Sequence, residues 1–142
     1  MKISTSKKLM ILAAGWVLGL GCGSSTSPLM DPITFEGEIA VAGRQIHPLV
    51  LTASGTIRIE FTRLEEKPVE GVEPTDTNWV LGVGVGRPIG EECSTRYSIR
   101  ASVGQLLVVG LDEGEYCLLV FDAGFVPADT VIEYTVMVSP AN

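Results

Sequence analysis

The sequence is poor in side chains that catalyse reactions near neutral pH. Its 142 residues include one histidine, His47, and three cysteines. A serine or cysteine nucleophile needs a base within hydrogen-bond reach. His47, directly before Pro48, is the single histidine that could be this base. No Gly-x-Ser-x-Gly segment of the kind that presents a hydrolase serine is present. We therefore expect no hydrolytic or redox activity, and we predict that the protein is not an enzyme.

Basic residues are also few, and no apolar run is long enough to cross a bilayer comfortably. Lysine and arginine total 10 against 17 aspartates and glutamates, which gives a formal net charge of −7. An acidic surface repels phosphate backbones, so nucleic acid is excluded as an expected partner. The N-terminal apolar run, 9–20, has twelve residues, whereas a membrane-spanning helix needs about 20.

The N-terminus has the three parts of an export signal. Three lysines precede the apolar run, which ends in Gly19-Leu20-Gly21-Cys22. This ending resembles the lipobox of bacterial lipoproteins, in which the cysteine is diacylated and becomes the new N-terminus. We predict a lipoprotein signal peptide over 1–21, lipid on Cys22, and a Gly/Ser-rich flexible tether over 22–33. An ordinary secretory signal or a short membrane anchor is the alternative.

The number of cysteines agrees with a lipid on Cys22. If that residue carries lipid, Cys93 and Cys117 remain as one pair, as suits an exported protein. A disulfide between them would close a loop of about 25 residues and add roughly 3–4 kcal/mol of stability if its effect is entropic. The alternative is a metal site, but two cysteines and one distant histidine are too few ligands for structural zinc.

Beyond residue 33, apolar and polar side chains alternate with a period of two, as in half-buried strands. In the clearest case Ile57, Ile59 and Phe61 would face the core. Turns recur about every ten to twelve residues, and no mature segment shows a convincing period near 3.6. The sequence predicts an all-β fold over 34–140, an antiparallel β-sandwich or jelly roll of about eight strands, after an N-terminal signal helix.

Some segments depart from simple alternation. Residues 106–109, 116–121 and 131–138 are apolar on both faces or nearly so, which is typical of central strands. Glycines recur at every second position from Gly82 to Gly86, and we expect them to leave room for a bulky neighbour on the facing sheet. The polar segment 65–77, with five carboxylates, is expected to form an exposed loop.

Three stretches resemble the bacterial pre-peptidase C-terminal domain, a β-sandwich module often found beside secreted peptidases. They are 35–59, 111–122 and 134–138, and the second reads Leu-Asp-Glu-Gly-Glu-Tyr-Cys-Leu-Leu-Val-Phe-Asp. Within it, Gly114 suits a turn residue with positive φ, and Tyr116 can bury its ring while its hydroxyl reaches the edge. The resemblance implies a β-sandwich and, since some relatives bind calcium or fibrous substrates, a ligand of that kind. Here the module would stand on a lipid without a peptidase.

Two sets of residues are candidates for binding. Asp122 and Asp129 flank a turn that also offers carbonyl oxygens, as a calcium ion requires, although the dense aspartate pattern of a committed calcium loop is lacking. Trp79 could be a stacking platform for a sugar, assisted by Tyr97, with a core position as the alternative for the tryptophan. No cofactor other than calcium is expected.

These patterns predict an exported outer-membrane lipoprotein that faces the periplasm or the exterior. Its partners would be the membrane, through lipid on Cys22, and a ligand of the sandwich. The leading hypothesis is a non-catalytic binding or structural role, because no catalytic group has its partners in the sequence. The alternative is an accessory module that recognises carbohydrate or protein polymer for a secreted hydrolase.

Overall fold

The structure is a computed structural model that describes residues 27–29, 31–74 and 77–141. It contains two four-stranded antiparallel sheets, and no helix lies within those ranges. The predicted all-β fold with about eight strands is therefore confirmed. The predicted signal peptide and Cys22 lie outside the described residues. The eight strands are β1 (Ile33–Ala40), β2 (Arg44–Leu51), β3 (Gly55–Glu66), β4 (Leu81–Ile89), β5 (Glu92–Ala101), β6 (Leu106–Leu111), β7 (Gly114–Phe121) and β8 (Val131–Pro140).

The order of the strands is that of a jelly roll. One sheet has the order β1-β8-β3-β6 and the other the order β2-β7-β4-β5. Every connection except the β4–β5 hairpin passes from one sheet to the other, so neighbours in a sheet are distant in sequence. At the two sides of the sandwich, β1 of one sheet contacts β2 of the other, and β5 contacts β6.

The core lies between the sheets and follows the predicted alternation. Ile57, Ile59 and Phe61 of β3 are fully buried, as are all four inward side chains between Ile132 and Val138 of β8. The expectation that 106–109 is a central strand was wrong, because β6 lies at a sheet edge and Val108 on its outer face is 53% exposed. Hydrophobicity on both faces does not distinguish a covered strand from an edge strand with apolar outward residues.

The glycines of β4 do make room for neighbours, but for neighbours within the same sheet. A Cβ on Gly82 would overlap the ring of Phe121, which lies on the paired strand β7. A Cβ on Gly86 would overlap the backbone carbonyl of Ser94 on the other paired strand, β5. The expected bulky residue on the facing sheet is therefore replaced by close contacts along the outer face of the same sheet.

A disulfide joins Cys93 of β5 to Cys117 of β7, as predicted. Their Cα atoms are 5.8 Å apart, within the usual range for such a bond. The bond fastens the edge strand β5 to the centre of its sheet, where β7 pairs with both β2 and β4. It therefore restrains one side of the sandwich far more than the other.

The segment before β1 contacts the domain within the stretch predicted to be a tether. Leu29 is 4% exposed, and the carbonyl oxygen of Pro28 accepts a hydrogen bond of 3.2 Å from the backbone N–H of Thr52. The ring of Pro28 also lies against Gly55 at the start of β3. No helix long and apolar enough to span a membrane occurs in the described part of the chain.

Candidate functional site

His47 lies on the inner face of β2, half-buried between the sheets. Its Nε2 atom is 2.6 Å from the hydroxyl oxygen of Tyr134 on β8, and its ring stacks on Phe35 of β1 at 4.8 Å. The Tyr134 hydroxyl in turn donates to Oε1 of Gln45 at 3.1 Å. Since the hydroxyl has one proton, this arrangement has His47 donating from Nε2–H. We call Gln45, His47 and Tyr134 the His47 clamp, because it links the two sheets.

Burial keeps the His47 clamp uncharged near neutral pH. Desolvation lowers the pKa of His47 below its usual 6.5 and raises the pKa of Tyr134 to about 12. Gly37 of β1 lies against the same group, and a Cβ there would overlap both Gln45 Oε1 and the Tyr134 hydroxyl. The clamp is therefore closely covered, and its polar atoms contact one another.

The His47 clamp lacks the geometry of a hydrolytic site. Among the hydrogen bonds of the described residues, neither ring nitrogen of His47 contacts a serine hydroxyl or a carboxylate. A base that activates a serine needs that hydroxyl on one nitrogen and usually an orienting acid on the other. Here a tyrosine with a raised pKa occupies the first position, and a tyrosine so hard to ionise is a poor nucleophile.

Asp122, one of the two calcium candidates, is occupied by backbone donors. Its Oδ1 accepts hydrogen bonds of 2.8–3.1 Å from the N–H groups of residues 124, 125 and 126, and its Oδ2 accepts one of 2.8 Å from Ala42. Burial acts to raise the pKa of Asp122, but these four donors outweigh it and hold the pKa below its usual range. Asp122 thereby holds its own turn and the turn between β1 and β2, where Ala42 has a φ of 55°.

Asp129, the second calcium candidate, lies at an exposed turn with a φ of 63°. Nowhere in 27–29, 31–74 and 77–141 do three or more histidine, cysteine, aspartate or glutamate side chains form a group that could hold a metal ion. A cation at Asp122 would have to compete with four N–H donors for both oxygens. Asp122 therefore has a role in holding two turns together, whereas the structure shows no comparable role for Asp129.

The two aromatic candidates lie in different cavities. Trp79 is partly buried, packs against the hydrophobic core, and lines a cavity of about 270 Å³ beside Leu64 and Pro68. Tyr97 is 38% exposed and lines a cavity of about 580 Å³ on β5. The structure therefore does not bring Trp79 and Tyr97 together. Trp79 lies in a cavity with Glu65 and Glu66, whereas Tyr97 lies in one with Arg87 and Arg96.

The cavity that contains Tyr97 lies where the β4–β5 hairpin meets the end of β6. A β-bulge between Val85 and Gly86 leaves Arg96 without a pairing partner on β4, because Val85 pairs with Tyr97 and Gly86 pairs with Thr95. A bulge of this kind re-aims side chains and is common beside binding sites. Here it places Arg96 at the cavity with Tyr97, at 5.7 Å from the centroid of the tyrosine ring.

At the bottom of the cavity, the side chain of Arg87 packs on the ring of the buried Tyr116. The guanidinium of Arg87 lies 4.0 Å from the centroid of the Tyr116 ring and donates to the Tyr116 hydroxyl at 3.1 Å and to the carbonyl of Glu115 at 2.9 Å. The Tyr116 hydroxyl donates to the carbonyl of Asp112 at 2.8 Å. Tyr116 thus buries its ring and extends its hydroxyl to the edge, as its sequence context indicated, and Gly114 has a φ of 148°.

We call the site formed by Arg87, Arg96, Tyr97 and Tyr116 the Arg–Tyr cleft. All four ion pairs of the described residues lie elsewhere, and neither of its arginines has a carboxylate partner within 4.0 Å. Of these four residues, only Tyr97 was predicted from the sequence to bind a ligand. The arginines were missed because they lie on different strands, β4 and β5, with no motif around them, and only the bulge and the β6–β7 turn bring them to one cavity.

The fold and the site define an eight-stranded jelly-roll sandwich with an open cleft at one side. No protein-family model matches the sequence, and neither does any curated protein. The fold is similar to that of the Yersinia pseudotuberculosis-derived mitogen, with a TM-score of 0.50 and 12% identity over 79% of this chain and 87% of that one. At this identity the similarity shows the fold alone.

A second solved structure is described as belonging to Bacillus endospore appendages, a family of disulfide-linked pili. Its TM-score is 0.40, at 10% identity over 93% of this chain and 96% of that one. This similarity is too weak to support an inference about the protein. The resemblance to the pre-peptidase C-terminal domain stays a prediction.

Proposed function

We propose that the protein is a non-catalytic binding module of the bacterial cell envelope, exported and held to the outer membrane by lipid on Cys22. The observation that carries the binding role is the Arg–Tyr cleft, an open cavity of about 580 Å³ with an exposed tyrosine and two arginines that form no ion pair with any described residue. Ligand sites typically have volumes of about 300–1,000 Å³ and a few convergent polar groups.

Export is supported by the sequence and by one structural feature. The basic start, the short apolar run and Cys22 form an export signal with a lipidation site. The Cys93–Cys117 disulfide is of the kind that persists in an oxidising compartment such as the periplasm or the cell surface. With that pair joined, Cys22 is the one cysteine left for lipid.

A non-catalytic role is supported by the surroundings of the single histidine. His47 faces a tyrosine and a stacked phenylalanine, and its pKa is lowered by burial, so it is neutral and engaged near pH 7. The Arg–Tyr cleft has arginines that bind charge and no histidine. These groups suit recognition of a ligand better than proton transfer.

Tyr97 favours the more specific hypothesis of an accessory module that recognises carbohydrate. A half-exposed tyrosine presents an apolar ring face and a polar hydroxyl, as a sugar does. Trp79, the predicted stacking platform, packs on the core and would contribute to folding instead. Calcium has no comparable support, because Asp122 is held by backbone donors.

Membrane attachment is tested with the full chain expressed in a Gram-negative host. We expect the wild-type protein in the outer-membrane fraction with diacylglycerol on Cys22, detected by mass spectrometry. Cys22→Ala blocks acylation and should remove the protein from that fraction, while Cys93→Ala, which breaks only the disulfide, should leave acylation intact. An unmodified Met1 at the N-terminus of the membrane-extracted wild-type protein would refute lipid attachment.

A further inference from the structure

We infer that the Arg–Tyr cleft binds an acidic saccharide, a sugar polymer that carries carboxylates as uronic-acid units do. This inference rests on the proposed binding function and specifies the ligand class. The first observation is the distribution of charge. The chain after Cys22 has seven basic residues against 17 acidic ones, yet among the described residues Asp112 is the only acidic one that lines the cleft. The cleft is thus a local cationic site on an acidic protein.

Unpaired arginines are common on protein surfaces, so the position of these two matters. Arg58 and Arg100 also lack ion pairs among the described residues, but each lies alone on an exposed outer strand face. Arg87 and Arg96 line the same cavity. Asp112, the acidic residue of the site, forms no ion pair with either arginine. The two cations therefore repel each other, and a bound anion reduces that cost.

Arg87 is already oriented before any ligand binds. Its guanidinium is held by the Tyr116 hydroxyl, the Glu115 carbonyl and the face of the Tyr116 ring. Two of its five N–H donors are used in these bonds, so others remain for a ligand. A fixed planar guanidinium binds a planar carboxylate through two parallel hydrogen bonds and loses little side-chain entropy on binding.

The rest of the site suits a sugar ring. Tyr97 is 38% exposed, and its ring can pack on the C–H face of a pyranose while its hydroxyl contacts the sugar hydroxyls. Ser94 and Thr95 of β5 line the same cavity and can add polar contacts. Because the cleft opens at the side of the sandwich, it can admit the middle of a polymer.

The overall charge of the protein distinguishes among anions. A dense polyanion such as nucleic acid or a polyphosphate would be repelled by the acidic remainder of the domain. A polymer with one carboxylate per sugar has a lower charge density and can pair with the two arginines. The combination of two arginines, one aromatic platform and an acidic protein surface therefore favours an acidic saccharide.

The test is calorimetric titration of the detergent-solubilised full chain with oligogalacturonate and with a glucuronate-containing oligosaccharide, which separates the two sources of the same carboxylate. We expect binding that weakens with added salt and is lost when the galacturonate carboxylates are methyl-esterified. Arg96→Gln should weaken binding about tenfold or more, since a hydrogen bond to a charged group is worth about 1.5–3 kcal/mol.

Arg100→Gln is the matched control. It removes the same charge from the same strand, but Arg100 lies on the outer face opposite Gly82 and outside the cleft. Its affinity should stay within about twofold of wild type, whereas an equal loss in both variants would show a general charge effect and overturn the inference. Tyr97→Ala, which leaves every charge in place, should also weaken binding.

The remaining outcomes separate the inference from the proposed function. Equal affinity for the methyl ester, or binding of a neutral glucan that Tyr97→Ala abolishes, would overturn the acidic-saccharide inference and keep the cleft as a binding site. Equal or stronger binding of polyglutamate would show that a sugar is not required and would overturn the saccharide part of the inference. Equal or stronger binding of inorganic phosphate would overturn the carboxylate part. No binding of any probe would count against the inference and against the binding role.

Discussion

The polar groups between the sheets are arranged differently at the two sides of the sandwich. Where β1 meets β2, the His47 clamp is uncharged, its members contact one another, and Gly37 leaves no space beside it. Where β5 meets β6, the Arg–Tyr cleft keeps two charged groups facing an open cavity. A polar group at a sheet edge can thus either satisfy its neighbours or remain available to a ligand.

The two sides are also held by different means. The β5 side has a covalent bond, Cys93–Cys117, close to the cleft. The β1–β2 side is held by the His47 clamp and by Asp122, whose carboxylate fixes the turn between the two strands. The disulfide holds β5, which carries Arg96 and Tyr97, to the centre of its sheet, and this bond does not depend on the charges in the cleft.

Removal of that bond is expected to have the largest effect on stability. The double variant Cys93→Ser/Cys117→Ser should lower the free energy of unfolding by roughly 3–4 kcal/mol, because the unfolded chain is no longer restrained by the loop closure. Urea denaturation measures the change. Wild-type protein treated with a reductant should match the variant, and the variant itself should not respond to the reductant. Equal stability of variant and oxidised wild type would contradict the proposed support of the β5 side.

A smaller effect is expected at the opposite side from Asp122→Ala. Four backbone N–H groups lose their acceptor, and because the site is partly open to water we expect a loss of about 2 kcal/mol. The loss should be the same in calcium and in a chelator. Asp129→Asn, at an exposed turn of the same connection, is the control and should change stability much less, because asparagine also tolerates the φ of 63° there. Destabilisation that occurs only with calcium present would identify Asp122 as a metal ligand.

The smallest effect is the pH dependence of the His47 clamp. Burial lowers the pKa of His47 in the folded protein, so the unfolded state takes up a proton first as the pH falls. The stability from neutral His47 is therefore present above about pH 6.5 and is lost as the pH falls through the lower folded pKa. Thermal unfolding between about pH 7 and pH 5 should show this decline, reduced in His47→Gln.

Two variants, one from each side of the sandwich, serve as controls for this pH dependence. Arg96→Gln should leave the pH dependence of unfolding unchanged over the same interval, because arginine stays charged throughout. If His47→Gln unfolds with the same pH dependence as wild type, another group causes the decline and the description of the clamp as neutral and buried is wrong.

Most of the fold could be predicted from local patterns in the sequence. The alternation in 56–62 identified β3 and its inward residues, and the number of cysteines identified the Cys93–Cys117 pair. The edge position of β6 could not be predicted, since the number of neighbours of a strand depends on connections between sheets. The partners of Gly82 were misplaced for the same reason, because β7 is distant in sequence.

The candidate site was predicted only in part. Tyr97 was identified as an aromatic residue that could meet a ligand, and it lines the cleft. Trp79 was predicted as a stacking platform assisted by Tyr97, but the loop before β4 carries Trp79 to another cavity. Arg87 and Arg96 have no motif, since their meeting depends on a bulge whose register cannot be read from either strand alone.

Side-chain period and composition were enough to predict the strands, their inward faces, the cysteine pair and the acidic charge. Tertiary structure alone decided which strands lie at the edges, which polar groups satisfy one another and which remain open. The physical reason is that all but one of the connections cross between sheets. Contacts such as His47 with Tyr134 or Arg87 with Tyr116 therefore join residues that no local pattern relates.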